Sequence, residues 1–213
     1  NNLSGGIIEW IRALNYNDFP NPYKKMEEEA SQSKPCPGGL VFIPHLLGER
    51  TPVWNPDSRA LFFGINRAHQ RQDFTRAVFE GVAYSVMHIA DVLKEFNVRI
   101  DKVAVAGGVS RISLINQIKS DVLGVPIIKY KNFESTAIGA ALIVLFATKY
   151  FSTMEQAFNE FCKVERIYEP NLEYHNIYSD FFDIYKKIYT SLVDVHKDRA
   201  DILKKYKQKG FDE

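Results

Sequence analysis

Hydrophobic positions along the chain repeat with two different periods and predict alternating strands and helices. Apolar residues three and four positions apart predict amphipathic helices, whereas short apolar or β-branched runs predict strands. Helices are expected over 4–14, 23–31, 73–96, 133–151, 154–161 and 172–206. Strands are expected over 39–47, 61–65, 103–106, 126–130 and 164–168. Strands followed by helices, with two strands first, predict one α/β domain with a mixed sheet, around which the last helix wraps.

Several segments carry specific expectations about which side is buried. Helix 4–14 places Ile7, Ile8, Ile11 and Leu14 on one side, which should face the core. In the last helix the predicted core stripe is Ile177, Phe181, Ile184, Tyr185, Ile188, Leu192 and Val195. Helical spacing of this kind indicates an intramolecular core more often than a partner surface.

Two further segments lack any polar side. Segment 133–151 is strongly apolar and is expected to be a helix buried between layers. Strand 103–106 shows no alternation, which is typical of a strand covered on both faces. Asp73 is the predicted N-cap of the helix that runs to about Phe96.

The central stretch is KVAVAGGVSRISLINQIKSDVLG, residues 102–124. It predicts a strand, a tight turn at Gly107-Gly108 and a helix capped by Ser110 or Ser113. A helix that begins beside glycines presents free N–H groups and a positive dipole end, which suits a nucleotide phosphate. A plain strand-to-helix turn has the same spacing, because glycine-rich turns are common there. Both interpretations stay open on spacing.

Composition narrows the functional classes. The 213 residues include 27 basic and 26 acidic side chains, and a net charge of +1 gives no argument for nucleic acid or a membrane surface. No apolar run reaches the roughly 18 residues that a membrane helix needs. Cys36 and Cys162 match no metal spacing, so a reducing, cytoplasmic setting is expected. The five histidines are scattered, and no metal site is predicted.

Familiar catalytic motifs are absent. The sequence contains no GxxxxGK[ST], GxGxxG, HExxH or CxxC. A Rossmann-type oxidoreductase is disfavoured further, because the strand after the glycine turn ends in Lys129-Tyr130-Lys131 and not in an acidic residue. Spacing therefore indicates an α/β domain and leaves nucleotide binding open.

Four segments resemble the C-terminal half of the FGGY-type carbohydrate kinases, which include xylulokinase, gluconokinase and glycerol kinase. They are HLLGERTPVWNPDSRALFFGI at 45–65, RAVFEGVAYSV at 76–86, AGGVSRISLINQIKSDVLGVPI at 106–127 and ESTAIGAALI at 134–143. The resemblance implies an actin-like, ribonuclease-H-like ATPase fold with a mixed sheet flanked by helices. It also implies transfer of the γ-phosphoryl of Mg-ATP to a sugar hydroxyl, with a carboxylate accepting the proton.

The resemblance also implies site residues. Those matched to the nucleotide pocket are Gly5, Glu9, Gly107, Gly108, Val109, Ser110, Ser113 and Asn116. The Gly-Gly turn packs on the adenosine and the α-phosphate, and a close approach explains the glycines at the start of helix 4–14. The sequence departs from the family pattern at Glu9, Ala60, Val109 and Ile112, which puts individual adenine contacts in doubt.

Further residues are expected in the cleft between the two domains of such a kinase. They are Glu49, Arg50 and Thr51 of the GERTP loop, and Glu80. A structural ion pair is an equal alternative for Arg50 and Glu80. No catalytic residue is assigned, because the family's catalytic aspartate lies in a GGGD-like stretch that does not occur here. Residues 1–213 are therefore expected to form the C-terminal, ATP-binding domain of a longer kinase, with Mg²⁺ held mainly through ATP and the sugar-binding domain.

The substrate and the partners remain open on the sequence. GERTP and PDSR favour xylulokinase and D-xylulose, whereas NNLSGGIIEW and ESTAIG favour gluconokinase. A non-catalytic, actin-like regulatory module is an alternative of another class, motivated by Val109 and Ile112. ATP or ADP and a sugar are the expected ligands. A surface that normally meets the other domain would be exposed in this chain, so a homodimer is also expected.

Overall fold

The computed structural model describes residues 4–131 and 134–207. Its helices are α1 Ser4–Asn15, α2 Pro22–Ala30, α3 Arg71–Glu95, α4 Ser113–Leu123, α5 Ser135–Ala147, α6 Met154–Phe161, α7 Leu172–Ser191 and α8 Val193–Lys207. Its strands are β1 Val41–Ile43, β2 Leu61–Phe63, β3 Val103–Val105, β4 Ile127–Tyr130 and β5 Val164–Tyr168. Short 3₁₀ turns occupy Pro37–Gly39 and Gly108–Arg111.

The strands form two separate sheets. In the mixed sheet, β3 runs parallel to β4, and β5 runs antiparallel to β4, in the order β3-β4-β5. β1 and β2 form their own antiparallel pair, with Phe42 opposite Phe62. The predicted mixed α/β architecture is confirmed, and the two early strands lie outside the mixed sheet.

Helix α3 is the centre of the core, and β1 packs directly on it. A Cβ atom on Gly81 would lie 2.5 Å from the Phe42 carbonyl oxygen, so glycine is what permits this close approach. The helix begins at Arg71, and Asp73 is not its N-cap. Gln70 is the N-cap, and Asp73 is the N3 residue of a capping box. The Asp73 Oδ2 atom accepts a hydrogen bond from the Gln70 backbone N–H at 2.8 Å.

Two apolar predictions near the N-terminus were wrong in extent. Leu14 is 61% exposed, because the buried side of α1 ends at Ile11. The strand predicted over 39–47 is reduced to β1. A 3₁₀ turn precedes it, with φ of +81° at Gly39, and Pro44 after it has no N–H for a sheet hydrogen bond.

Helix α5 is exposed, so the prediction of burial between layers was wrong for the described residues; Phe133, where that helix was predicted to begin, lies outside them. Leu142 is the buried residue of α5, whereas Ile143 and Val144 are 61% and 59% exposed. α5 packs against α6. In β3, Ala104 is exposed, so the prediction that this strand is covered on both faces was also wrong. An apolar composition indicates that burial of the helix would be favourable, but it does not show whether another element packs against the helix.

The long C-terminal helix is interrupted at Leu192 and forms α7 and α8. The Thr190 hydroxyl donates to the carbonyl oxygens of Lys186 and Lys187, both at 3.0 Å, and competes there with regular helical bonding. The buried stripe of α7 agrees with the predicted one at Tyr185 and Ile188, while its other members each lie one position after a predicted residue. It consists of Tyr178, Phe182, Tyr185, Ile188 and Tyr189.

Candidate functional site

Two neighbouring helices and a turn that is distant from them in sequence enclose a cavity of about 470 Å³. Helix α1, helix α2 and the turn after β3 each supply part of its wall. The lining residues are Gly5, Ile8, Tyr23, Lys24, Glu27, Gly108, Val109, Arg111 and Ile112. Val109 approaches α1 closely, since its Cγ2 atom lies 4.0 Å from where a Cβ on Gly5 would be.

The glycine turn leaves the backbone open on its outer side. Gly107 has φ of +79° and ψ of −179°, a conformation that side chains disfavour. Apart from the glycine itself and the residues adjacent to it in the chain, no heavy atom of the described structure lies within 4 Å of a Cβ built on Gly107 or Gly108. A ligand can therefore approach the main chain of this turn without meeting a side chain.

Two buried polar residues hold this turn from behind. The Ser110 hydroxyl donates to the Gly107 carbonyl oxygen at 2.7 Å, and the Asn116 Nδ2 atom donates to the Ser110 carbonyl oxygen at 2.8 Å. Asn116 is fully buried, and its Oδ1 atom has no hydrogen-bond partner among the described residues. Ser110 and Asn116 therefore position the turn and do not line the cavity.

The start of α4 is occupied by a carboxylate from another helix. Glu27 Oε1 accepts from the Leu114 backbone N–H at 2.8 Å. The N-cap residue is Ile112, so the prediction that Ser110 or Ser113 caps this helix was wrong. Ser110 lies in the 3₁₀ turn and bonds backwards, while Ser113 accepts from the Tyr168 hydroxyl at 3.2 Å in a neighbouring groove. A phosphate at this helix end would meet the Glu27 carboxylate, which disfavours the predicted use of the helix dipole.

Glu9 acts on the cavity through a neighbour. Its carboxylate accepts from Arg12 Nη2 at 2.6 Å and from the Tyr23 hydroxyl at 2.5 Å. Hydrogen bonds from Arg12, and next from Tyr23, hold the pKa of Glu9 near 2. Glu9 therefore fixes the position of Tyr23, whose side chain is part of the cavity wall.

The predicted nucleotide residues are thus distributed over three places. Gly5, Gly108 and Val109 line the cavity. Gly107, Ser110, Asn116 and Glu9 support it, and Ser113 lies in the next groove. Sequence reasoning missed Ile8, Tyr23, Lys24, Glu27, Arg111 and Ile112 as wall residues. The available signal for α2 was the i,i+4 spacing of Tyr23 and Glu27, which places both on one helical face.

Glu80 does not face a cleft in this structure, because it is only 1% exposed. Its Oε1 atom accepts from Arg76 Nε at 2.9 Å, from the Tyr178 hydroxyl at 2.9 Å and from the Cys36 backbone N–H at 3.1 Å. Burial raises the pKa of Glu80, and Arg76 opposes that effect. The structural ion pair was the better interpretation for Glu80, although its partner is Arg76 and not Arg50.

Glu49 organises the loop that carries the GERTP sequence. Its Oε1 atom accepts from the backbone N–H groups of Arg50 and Thr51, at 2.7 and 3.0 Å. Its Oε2 atom lies 3.3 Å from Nε2 of the buried His45, whose Nδ1 lies 2.7 Å from the Ser58 Oγ atom. Burial lowers the pKa of His45 to about 4, although Glu49 opposes it. Ser58 is fully buried, so this serine, histidine and glutamate arrangement ties the loop together and is closed to a substrate.

No group of three or more histidine, cysteine, aspartate or glutamate side chains is placed to hold a metal ion in residues 4–131 and 134–207. In those residues, no helix is both long and apolar enough to cross a bilayer.

Comparisons with known proteins agree on one family. Residues 1–148 match the model of the FGGY family of carbohydrate kinases, C-terminal domain. A xylulose kinase of Staphylococcus epidermidis is 30% identical over 186 residues, which cover 87% of this chain and 37% of that protein. The gluconate kinase structure from Lactobacillus acidophilus superimposes with a TM-score of 0.82 at 24% identity, over 91% of this chain and 39% of that chain.

A third similar structure is the Plasmodium falciparum glycerol kinase with ADP, at a TM-score of 0.74 and 20% identity. It covers 89% of this chain and 37% of that chain. The fold is therefore the actin-like ATPase fold of the sugar kinases. The chain belongs to the FGGY family of carbohydrate kinases. It spans well under half the length of the relatives that it matches.

Proposed function

We propose that the chain supplies the nucleotide-binding part of a sugar kinase, which transfers the γ-phosphoryl group of Mg-ATP to a sugar hydroxyl. The observation that carries the proposal is the cavity between α1, α2 and the open Gly107-Gly108 turn. Its volume of about 470 Å³ falls within the range of small-molecule pockets, about 300–1,000 Å³. Family membership and the ADP of the related glycerol kinase support a nucleotide as the ligand.

The wall chemistry suggests an orientation for the nucleotide. Ile8, Val109 and Ile112 give an apolar section that suits a purine base. Lys24 and Arg111 give a cationic section that suits phosphate oxygens. The open glycine turn then lies along the ribose and the α-phosphate, where a Cβ atom would obstruct the approach.

The remaining parts of the reaction are assigned to sequence outside these 213 residues. In this proposal, the carboxylate that accepts the sugar proton and most sugar contacts come from the region of the relatives with no counterpart here. Mg²⁺ is held through ATP and that region. D-xylulose is favoured as the substrate and gluconate is the alternative, since both kinds of kinase are among the relatives. Both cysteines are free, in keeping with work in a reducing cytoplasm.

Titration of the chain with ADP in a calorimeter tests the proposal. Gly108→Val should weaken binding about tenfold or more, because the new side chain enters the open space of the turn. Gly139→Val is the matched control, since a Cβ there also meets nothing within 4 Å but lies on α5. Equal ADP affinity of the two variants would contradict this location of the nucleotide.

A kinase assay tests the second half of the proposal. The chain with ATP and D-xylulose, gluconate or glycerol should produce no sugar phosphate, because no carboxylate is assigned as the base. Robust turnover would show that the base lies within these residues. A regulatory module is the one other candidate, and the departures from the family pattern at Val109 and Ile112 favour it. A full-length protein that binds ADP through this cavity but phosphorylates none of these substrates would support that candidate.

A further inference from the structure

Glu27 is an acidic residue in the wall of the cavity, and one of its carboxylate oxygens is held by the main chain. Its Oε1 atom accepts from the Leu114 backbone N–H at 2.8 Å, which joins α2 to the start of α4. None of the other described lining residues is an aspartate or a glutamate. The negative charge of this wall is therefore located at one fixed side chain.

The second carboxylate oxygen of Glu27, Oε2, is available to a ligand. Within residues 4–131 and 134–207, no hydrogen bond or ion pair involves this atom. The side chain is partly buried and lines the cavity. Because an ionised carboxylate accepts hydrogen bonds and cannot donate them, the ligand group that meets Oε2 must be a donor.

The apolar section of the wall adjoins Glu27. Leu114, to which Glu27 is bonded, is two residues after Ile112, and Ile112 lines the cavity together with Ile8 and Val109. The Glu27 carboxylate repels a phosphate, so the phosphates lie away from it and the base lies nearer. Among the polar groups on the edge of adenine, the 6-amino group donates hydrogen bonds and the ring nitrogens accept them.

We infer that Glu27 selects the base of the nucleotide by accepting a hydrogen bond from a 6-amino group at Oε2. This inference rests on the proposed nucleotide function and names the residue that distinguishes one purine from another. A 6-oxo purine such as hypoxanthine has an acceptor in place of the amino group, and two acceptors cannot form a hydrogen bond with each other. A site that hydrogen-bonds one ligand group discriminates against an analogue without that group.

Calorimetric titration of the wild-type chain with three nucleoside diphosphates tests this selection. ADP should bind about tenfold more tightly than inosine 5′-diphosphate (IDP), as expected for the loss of one charge-assisted hydrogen bond. Purine riboside 5′-diphosphate, which has hydrogen at position 6, should bind with intermediate affinity, because it loses the bond but brings no second acceptor. Equal affinities for ADP and IDP would overturn the inference.

Glu27→Gln should shift the preference towards IDP. The amide oxygen of the new side chain can keep the bond from the Leu114 N–H, so its NH₂ group takes the place of Oε2 and donates to the 6-oxo group. The ratio of IDP affinity to ADP affinity should rise about tenfold or more. The lost negative charge affects both diphosphates alike and cancels in this ratio.

Glu28→Gln is the matched control, since it makes the same change at the next residue of α2. Glu28 is exposed and lines the neighbouring groove, so this variant should keep the wild-type ratio. An unchanged ratio in Glu27→Gln, with ADP binding that Gly108→Val still weakens, would overturn this inference alone. No binding of ADP or IDP to the wild-type chain would overturn the proposed nucleotide function as well. The wild-type comparison carries the test if Glu27→Gln disturbs the start of α4.

Discussion

Glu80→Ala should lower the free energy of unfolding by about 3–5 kcal/mol, the cost of breaking a buried ion pair by removing one partner. Arg76 is 5% exposed, and its Nη2 atom also donates to the Tyr178 hydroxyl at 2.8 Å. Removing the Glu80 carboxylate leaves that guanidinium charged and buried. It also leaves the Cys36 backbone N–H and the Tyr178 hydroxyl without their shared acceptor.

A double-mutant cycle separates the pair from the rest of the core. Arg76→Met with Glu80→Leu replaces both charges by apolar groups, so neither charge is stranded. The double variant should therefore be more stable than the sum of the single effects predicts, by about 2 kcal/mol or more. Glu80 Oε2 has no hydrogen-bond partner among the described residues. The apolar replacement of Glu80 therefore loses hydrogen bonds at only one carboxylate oxygen.

Urea unfolding followed by circular dichroism measures these differences. Glu28→Ala is the matched control, because Glu28 pairs with Lys24 at the same i,i+4 spacing on an exposed helix face. It should change stability by no more than about 0.5 kcal/mol. A loss below about 1 kcal/mol for Glu80→Ala, or strict additivity in the cycle, would refute the assignment of Glu80 to a coupled buried pair.

Three other predictions concern the cap, the loop and the exposed helix. Glu27→Ala should cost about 1 kcal/mol in urea unfolding through loss of the α4 cap, and Glu27→Gln, which retains an acceptor oxygen, should cost less. Burial lowers the pKa of His45 from its ordinary value of 6.5 to about 4, so about 3 kcal/mol of stability should be lost as the pH falls through that window. His45→Gln should flatten this part of the pH profile, and an unchanged slope would exclude His45 as its source. The wild-type chain should self-associate as its concentration rises, which light scattering measures as an increase in mass. Ile143→Glu, on exposed α5, should reduce the self-association. A wild-type chain that stays monomeric at every concentration would count against the prediction.

The sequence predicted well those features that depend on nearby residues. Helix α3 follows the spacing of Val78 and Val82, and the strand, turn and helix around Gly107-Gly108 follow from local composition. The family resemblance was carried by contiguous motifs, so it was also readable without coordinates. Predicted boundaries were wrong where a single local group decided them, namely the missing N–H of Pro44 after β1 and the Thr190 hydroxyl before the break at Leu192.

The wall formed by α2 could not be predicted in the same way. Glu27 and Leu114 are 87 positions apart, and the Glu27 carboxylate accepts a hydrogen bond from the Leu114 backbone N–H. A backbone donor has no residue-type signature, so no sequence pattern marks the contact. α2 is polar and charged, which is equally typical of a solvated surface helix. Long-range packing therefore decided which side of α2 borders the cavity.

The burial of Glu80 was open in the sequence for a related reason. A glutamate four residues after an arginine is compatible with an exposed helix pair, a cleft or the core. The acceptor role of Glu80 towards Tyr178 and Cys36 depends on two segments that reach it from positions 98 and 44 residues away. Only the assembled fold distinguishes these cases.

The apolar composition of helix α5 affects its rotation about its own axis. An amphipathic helix is held at one rotation about its axis, because turning it would expose its apolar face and bury its polar one. The described part of α5 has no polar face, so hydration does not select one rotation over another. The contacts with α6 set its rotation within the described residues. Any surface that covers Ile143 and Val144 would therefore also determine the direction in which every other side chain of this helix points.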